Sequence, residues 1–279
     1  MQTCPTVQKS VIRGHYNLST PFYRLLWGPH IHHGLWDANE SPRTAQLQLT
    51  DRLATLAQVS AGQRLVDIGC GMGASSIHLA KTRNCSCLGI TISPVQATWA
   101  SVSSRWHRTA GQVEFRCADA EQIELPLQSR DLVWSVECTE HLFDKARFFQ
   151  RAASWLKPGG RMAICAWLAG DTSDPSRSRQ VQKVCEGFFC PSLGTSDDYV
   201  HWMEMAGLQI EHNLDWTSRV TRTWEICEKR VRRTRVRWLA KMLGRNSVLF
   251  LDRFDAILTA YRSGAMQYGC FIARKPANS

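Results

Sequence analysis

The stretch Leu65-Val66-Asp67-Ile68-Gly69-Cys70-Gly71-Met72-Gly73-Ala74-Ser75-Ser76 decides the fold. An apolar, branched run ends on an acid, and three glycines follow at alternate positions. Small and hydroxyl residues then open a helical pattern from Ser75 to Lys81. The pattern predicts a buried strand, a tight turn and a helix start. Glycine suits a backbone that turns sharply and admits a ligand, because a Cβ would clash. The helix start offers unpaired N–H groups and partial positive charge, which suit a carboxylate or phosphate. The spacing Gly69-x-Gly71-x-x-Ala74 also fits the relaxed dinucleotide fingerprint. A nicotinamide enzyme and a ligand-free turn are therefore further readings of this stretch.

Outward from the turn, strands and helices alternate. Residues 43–59 carry Leu47, Leu49, Leu53, Leu56 and Val59 near helical spacing. Residues 87–92 read as a second strand, and Ser93-Pro94 caps a helix reaching about Arg108. Residues 113–117 and 131–136 read as the next strands, the latter ending at Glu137. A helix over 144–156 closes at Lys157-Pro158-Gly159-Gly160, a turn before a strand over 161–168. Later come a helical stretch near 181–189, a helix capped by Thr195-Ser196-Asp197, and strands over 208–216 and 268–274. This rhythm predicts an α/β fold, a mostly parallel sheet covered on both faces. About fifty residues before the last strand are too many for an ordinary loop and predict a helical insertion.

At 279 residues the chain suffices for one sizeable core with an insertion. Residues 1–9 lack the apolar core of a signal peptide, and no run is long enough to span a bilayer. Eleven cysteines include no C-x-x-C pair, which points to reduced thiols and a cytoplasmic setting. The net charge is +10, and residues 221–245 hold nine Lys/Arg against two Glu. The excess is local, so a uniformly basic nucleic-acid surface is not implied. In that segment Trp224, Cys227, Val231, Trp238 and Met242 fall near helical spacing among the basic residues. The segment has three readings: a solvated cap helix, a helix resting peripherally on an anionic membrane, or one that pairs with an acidic acceptor.

Residues 10–37 are rich in aromatics and histidine, and Pro21, Pro29 and the glycines predict short pieces there. His30, His32 and His33 admit a metal reading, but no carboxylate motif at ligand spacing accompanies them. Packing is one alternative; a segment closing over a ligand is another. No metal is assigned.

Open parallel sheets bind ligands beyond the carboxyl ends of their strands. Those ends carry residues 67–73, Thr91, Asp119-Ala120, residues 137–141 and Trp167. Val66-Asp67-Ile68-Gly69-Cys70-Gly71-Met72-Gly73 resembles motif I of class I S-adenosylmethionine-dependent methyltransferases. Gly89-Ile90-Thr91-Ile92-Ser93-Pro94-Val95-Gln96, Ala118-Asp119-Ala120 and Leu156-Lys157-Pro158-Gly159-Gly160 fall where that family has its next motifs. Trp27-Gly28-Pro29-His30-Ile31-His32-His33-Gly34 and Glu137-Cys138-Thr139-Glu140-His141 resemble the γ-tocopherol methyltransferase-like group. Sterol and phosphoethanolamine methyltransferases are more distant.

The resemblance implies S-adenosyl-L-methionine as cofactor. Gly69, Gly71 and Gly73 would line its methionine part, with Asp67 shaping the loop. Asp119 would accept from the adenine amino group beside Ala120. Glu137 and His141 would sit near the sulfonium, and Tyr16, Ile31 and His32 would close over it. Many class I enzymes place an acid after the second strand; here Thr91 stands there, and the resemblance implies that it would share the ribose edge with Ser93 and Gln96. A neutral hydroxyl bonds less strongly than a carboxylate.

The implied architecture is a seven-stranded, mostly parallel, Rossmann-like sheet with a helical cap. Residues 1–60 would form an N-terminal cap and helix and 61–170 the cofactor core. Residues 171–279 would complete the core with cap insertions at about 169–194 and 217–266. Expected is methylation of a small, largely apolar acceptor, at oxygen or ring carbon of a phenol-like or isoprenoid compound. N-methylation of an amine is the near alternative. A nucleic-acid enzyme is not expected, since the place of an (N/D)-P-P-(Y/F) signature reads Glu137-Cys138-Thr139-Glu140. Methyl transfer needs alignment above all. A phenol or protonated amine must also lose a proton, which a near-neutral histidine can take. His33 and His141 are the candidate bases, with Glu137 and Glu140 as alternatives.

Overall fold

The computed structural model describes residues 1–5, 7–231 and 253–277. Its main sheet has seven strands: β2 (Arg64–Ile68), β3 (Ser86–Thr91), β4 (Val113–Cys117), β5 (Arg130–Val136), β6 (Leu156–Ala169), β8 (Gln209–Asp215) and β9 (Met266–Arg274). Their order is β4-β3-β2-β5-β6-β9-β8. The pairs from β4 to β6 are parallel, and β9 runs antiparallel to both neighbours. After β2 the chain goes outward to β3 and β4, then returns to β5 on the other side. The switch point therefore lies between β2 and β5, where ligands of such sheets bind.

The apolar run of β2 follows from this position. Leu65, Val66 and Ile68 are all buried, Leu65 in the core on one face and Val66 and Ile68 in the core on the other. Alternate strand residues point to opposite faces, so both must be apolar when both are covered. Among the described residues the helices are α1 (Lys9–Leu26), α2 (Pro42–Leu56), α3 (Ala74–Arg83), α4 (Pro94–Trp106), α5 (Lys145–Trp155), α6 (Pro175–Phe188), α7 (Ser196–Met205), α8 (Thr217–Val220), α9 (Arg222–Val231) and α10 (Phe254–Arg262). Ser93 caps α4 by accepting from Gln96 N at 3.2 Å. Thr195 and Asp198 form a capping box on α7.

Three local features differ from the sequence expectation. Residues 9–26 form one helix rather than short pieces, with Pro21 inside it. An interior proline costs about 3 kcal/mol; burial of the helix's inner face, where Ile12 packs in the core, works against that cost. Residues 157–160 are no free turn but an irregular start of β6: Arg130 lies opposite Leu156, and Leu132 opposite Arg161. A short strand β1 (Gln2–Thr3) pairs antiparallel with β7 (Ser192–Leu193), which carried no legible strand signal.

Phe115 of β4 packs where two glycines leave room. A Cβ on Gly73 would stand 2.5 Å from its Cζ, and one on Gly89 2.5 Å from its Cδ1. Gly73 also has φ +77°. We expect Gly73→Ala to destabilise the protein by about 2–5 kcal/mol, from left-handed strain and overpacking together. Urea unfolding of the variant measures this; an unchanged midpoint would show that Phe115 moves aside freely.

Candidate active site

The turn after β2 opens a cavity at the switch point. Its three glycines do different jobs. Gly69 (φ +76°) lines the cavity, but a Cβ there would meet Cys138 Cβ at 2.3 Å. Gly73 is the N-cap of α3 and does not line the cavity. Gly71 lines it, and the nearest atom to its added Cβ is Ile31 Cδ1 at 3.9 Å. Among the motif glycines, Gly71 leaves open the space a ligand needs. Asp67 is buried beneath the turn and accepts from Ser76 Oγ at 2.5 Å. Burial pushes its carboxyl up to about 7.

The rest of the wall comes from the ends of β3, β4 and β5. Thr91 Oγ1 donates to Gln96 Oε1 at 2.8 Å, and both residues line the cavity. Ser93 does not line it; besides capping α4 it donates to Asn17 Oδ1 at 2.6 Å. Its place is the seam between α4 and α1 rather than the ribose edge. Asp119 and Ala120 line it as well. Asp119 accepts from Glu121 N at 2.9 Å and from Lys9 Nζ at 2.7 Å. Lys9 also stands 2.6 Å from Glu121 Oε2. Burial alone would lower the Lys9 pKa; the two carboxylates outweigh it and raise it. Lys9 and Glu121 carry no motif signal, since their meeting depends on α1 crossing the sheet end.

Helix α1 and the segment after it cover the cavity. Tyr16, Ile31 and His32 all line it. Tyr16 Oη lies 2.9 Å from His141 Nε2, and His141 Nδ1 lies 3.1 Å from the Phe189 carbonyl. A carbonyl only accepts, so Nδ1 carries the proton and Nε2 accepts from the tyrosine. Burial pushes the His141 pKa down to about 4. His30 Nδ1 and His32 Nε2 lie 3.1 Å apart, so these rings bond to each other. Among the described residues no group of three potential ligands gathers as a metal site would.

Glu137 sits at the end of β5 with φ +54°. Its Oε1 accepts from His33 N at 2.7 Å and Tyr268 Oη at 2.8 Å, and its Oε2 from Trp167 Nε1 at 3.0 Å. His33 Nδ1 is 2.9 Å from Oε1. Burial would raise this carboxyl, but His33 and His32 win and lower it. His33 is fully buried, and its Nε2 accepts from Trp224 Nε1. It lines neither cavity. The geometry does not support His33 as a base: both ring nitrogens face protein groups, and its part is to hold Glu137.

A second cavity adjoins the first. Tyr16, Ile31, Glu137 and His141 line both. Its other walls are His15, Tyr23, Trp27, Glu140, Trp167, Phe188, Trp224 and Phe254. Glu140 Oε1 accepts from Trp167 N, while Oε2 is buried with no hydrogen-bond partner among the described residues. Burial pushes this carboxyl up to about 8. A buried unpaired polar atom is costly, and of the two acids in the chamber wall only Glu140 carries one.

The first cavity fits S-adenosylmethionine by its own features. Gly71 leaves a cradle, Asp119 presents a carboxylate, and the Trp134 indole N–H is buried without a partner in the wall. Fold and site together define a class: a doubly wound sheet with a nucleoside-type cavity at its switch point and an aromatic chamber alongside. The chain matches the family described as mycolic acid cyclopropane synthetase over residues 4–266. It is 31% identical to the chloroplastic tocopherol O-methyltransferase of Arabidopsis thaliana over 94% of this chain and 80% of that one. It is 32% identical to the 27-O-demethylrifamycin SV methyltransferase of Amycolatopsis mediterranei (strain S699), over 90% of this chain and 92% of that one. The crystal structure of mycolic acid cyclopropane synthase CmaA1 with SAH and CTAB superposes with a TM-score of 0.86 at 17% identity, covering 95% and 98% of the two chains. The chain belongs to the mycolic acid cyclopropane synthetase family of S-adenosylmethionine-dependent methyltransferases. Its acceptor is a small molecule.

Proposed function

We propose that this enzyme methylates an oxygen or ring carbon of a phenol-like or isoprenoid acceptor bound in the aromatic chamber. The observation that carries the reading is the junction of the two cavities at Tyr16, Ile31, Glu137 and His141, with the unpaired Glu140 oxygen beside it. Tyr23, Trp27, Trp167, Phe188, Trp224 and Phe254 give the chamber an aromatic wall suited to a flat or branched apolar body. Two acids, Glu137 and Glu140, line this chamber, which favours a neutral acceptor over an anionic one. The tocopherol and rifamycin methyltransferases among its relatives support a hydroxyl-bearing acceptor. The acid-pairing reading of residues 221–245 falls largely outside the described residues, beyond Val231.

When bound, S-adenosylmethionine supplies an electrophilic methyl group. The chain's residues position the acceptor and take its proton. Glu140 is the proposed proton acceptor, through Oε2. His141 is a weak base because its Nε2 already accepts from Tyr16 and burial lowers its pKa to about 4. We assign His141 and Tyr16 to shaping the junction, and Glu137, held by three donors, to fixing negative charge there. The aromatic wall and the two acids also suit an amine, which keeps N-methylation as the second reading.

Purified enzyme incubated with S-adenosylmethionine and a panel of chromanols, prenylated quinols, amines and isoprenoid diphosphates decides between these. Mass spectrometry should show one added methyl on a hydroxylated, uncharged member. Methylation confined to amines or to diphosphates would overturn the reading.

A further inference from the structure

Helix α4 is amphipathic the wrong way round. Its buried face carries Gln96, Ala100 and Ser104. Its solvent face carries Val95, Trp99, Val102 and Trp106, at i, i+4, i+7 and i+11, one continuous stripe. Trp106 is 85% exposed and Val102 59%. Helix α1 adds Val11 at 43% and Leu18 at 72%. The Asn17–Ser93 hydrogen bond ties α1 to the first turn of α4, so these apolar groups stand on adjacent helices. Apolar patches of this kind on a protein surface mark contact with something else.

The charge around the patch selects the occupant. Neither α1 nor α4 contains an acidic residue. Arg13 and Arg24 on α1, and Arg105 and Arg108 at the end of α4, are exposed. Lys81 of α3 reaches to 3.5 Å from His107 beside them. The acid on neighbouring β4, Glu114, pairs with Arg116 at 2.6 Å. A second copy of this face would bring the same arginines together, because a two-fold interface places each patch on itself. An anionic bilayer surface satisfies both features. Indoles favour the headgroup boundary, and basic residues gain from the surface potential of acidic lipids.

We propose that the α1–α4 face docks on anionic membranes through Trp99, Val102 and Trp106, with Leu18 beside them and the arginines as rim. Helix α1 also lends Lys9, Ile12 and Tyr16 to the cofactor cavity and His15, Tyr16 and Tyr23 to the chamber, so docking would bring both close to the phase where apolar compounds collect. That purpose rests on the proposed acceptor class; the docking itself does not. Among the described residues no helix is long and apolar enough to cross a membrane, so contact through this face would be peripheral.

Vesicle co-sedimentation tests it without any acceptor. Full-length protein should pellet with phosphatidylcholine–phosphatidylglycerol vesicles at low salt, and be released by high salt through screening. Pure phosphatidylcholine should retain little. Trp99→Gln with Trp106→Gln should weaken partitioning about tenfold or more, and Arg105→Gln with Arg108→Gln should remove much of the salt dependence. S-adenosylhomocysteine affinity should be unchanged in both double variants, which shows that they fold. Absence of wild-type binding to anionic vesicles overturns the proposal. So does equal binding by the Trp99/Trp106 variant, which would place the contact elsewhere, residues 221–245 included. A wild-type dimer in sedimentation velocity, dissolved by the tryptophan changes in a protein that ignores vesicles, would assign the face to a second copy. Failure to methylate hydroxylated acceptors, with vesicle binding intact, would strike the acceptor reading alone.

Discussion

Glu140→Gln should lower the rate of methyl transfer to a hydroxyl acceptor by about 10²- to 10⁴-fold, the usual contribution of a positioned general base. Glutamine keeps the shape and can still accept from Trp167 N, but it cannot take a proton. The wild-type pH profile carries the signature. With the carboxyl pushed up to about 8, the basic form is scarce at pH 6 and dominant above pH 9. Rates limited by this proton should therefore rise with pH through about 8 and then level. The Glu140→Gln variant should show no such rise. The stability linkage runs the other way. An ordinary carboxyl titrates near pH 4.3 when unfolded. Between that value and about 8 the folded state holds a proton that the unfolded state has released, so stability falls as pH rises across this window. Glutamine removes that loss, and the variant should tolerate alkaline denaturation better than wild type while turning over more slowly. A variant with wild-type rates across the pH range would remove Glu140 from the mechanism and leave alignment alone.

Gly71→Val should weaken binding of S-adenosylmethionine and S-adenosylhomocysteine by roughly five- to 150-fold, the equivalent of 1–3 kcal/mol of overpacking against the ligand. The variant is informative because the first added atom meets little of the protein: a Cβ would have only Ile31 Cδ1 near it, at 3.9 Å. Its φ of +52° adds a backbone cost of about 1–2 kcal/mol. Thermal unfolding should therefore fall only modestly, in contrast to Gly73→Ala, while calorimetry with S-adenosylhomocysteine should show the loss. Full cofactor affinity in folded Gly71→Val would mean that the cofactor does not approach this turn. NADH binding in its place would revive the dinucleotide reading of the same glycines.

The difference between Gly71 and Gly73 marks how far the sequence can be read. Both stand in one motif, and the motif implies that both face the ligand. Gly73 instead makes room for Phe115, forty-two positions later in the chain, whose packing nothing in the turn announces. Ser93 shows the same limit. Its N-cap role is local and legible from Ser-Pro, whereas its bond to Asn17 requires α1 to lie across α4. The single helix over residues 9–26 was hidden because a proline penalty is visible in sequence, but the burial that works against it is not.

The candidate base illustrates the point at the level of chemistry. Histidine is the natural choice when only intrinsic pKa values are known. Burial then moves His141 down to about 4 and Glu140 up to about 8. It also encloses His33 between Glu137 and Trp224.

By itself the sequence determined the strand–turn–helix unit around residues 65–81, the alternation that makes a covered, mostly parallel sheet, and the strand ends where a cofactor must bind. These are set by contacts between neighbours in the chain and by a period of two or 3.6, which a sequence displays directly. Only the tertiary structure decided which motif residues touch the cavity, that Lys9 meets Asp119 from 110 positions away, and that His33 serves Glu137 from 104 positions away. It alone showed that α4 turns its tryptophans outward. Each of these depends on long-range packing and on the loss of water it brings, and that loss sets which polar groups are satisfied and which titrate in a new range.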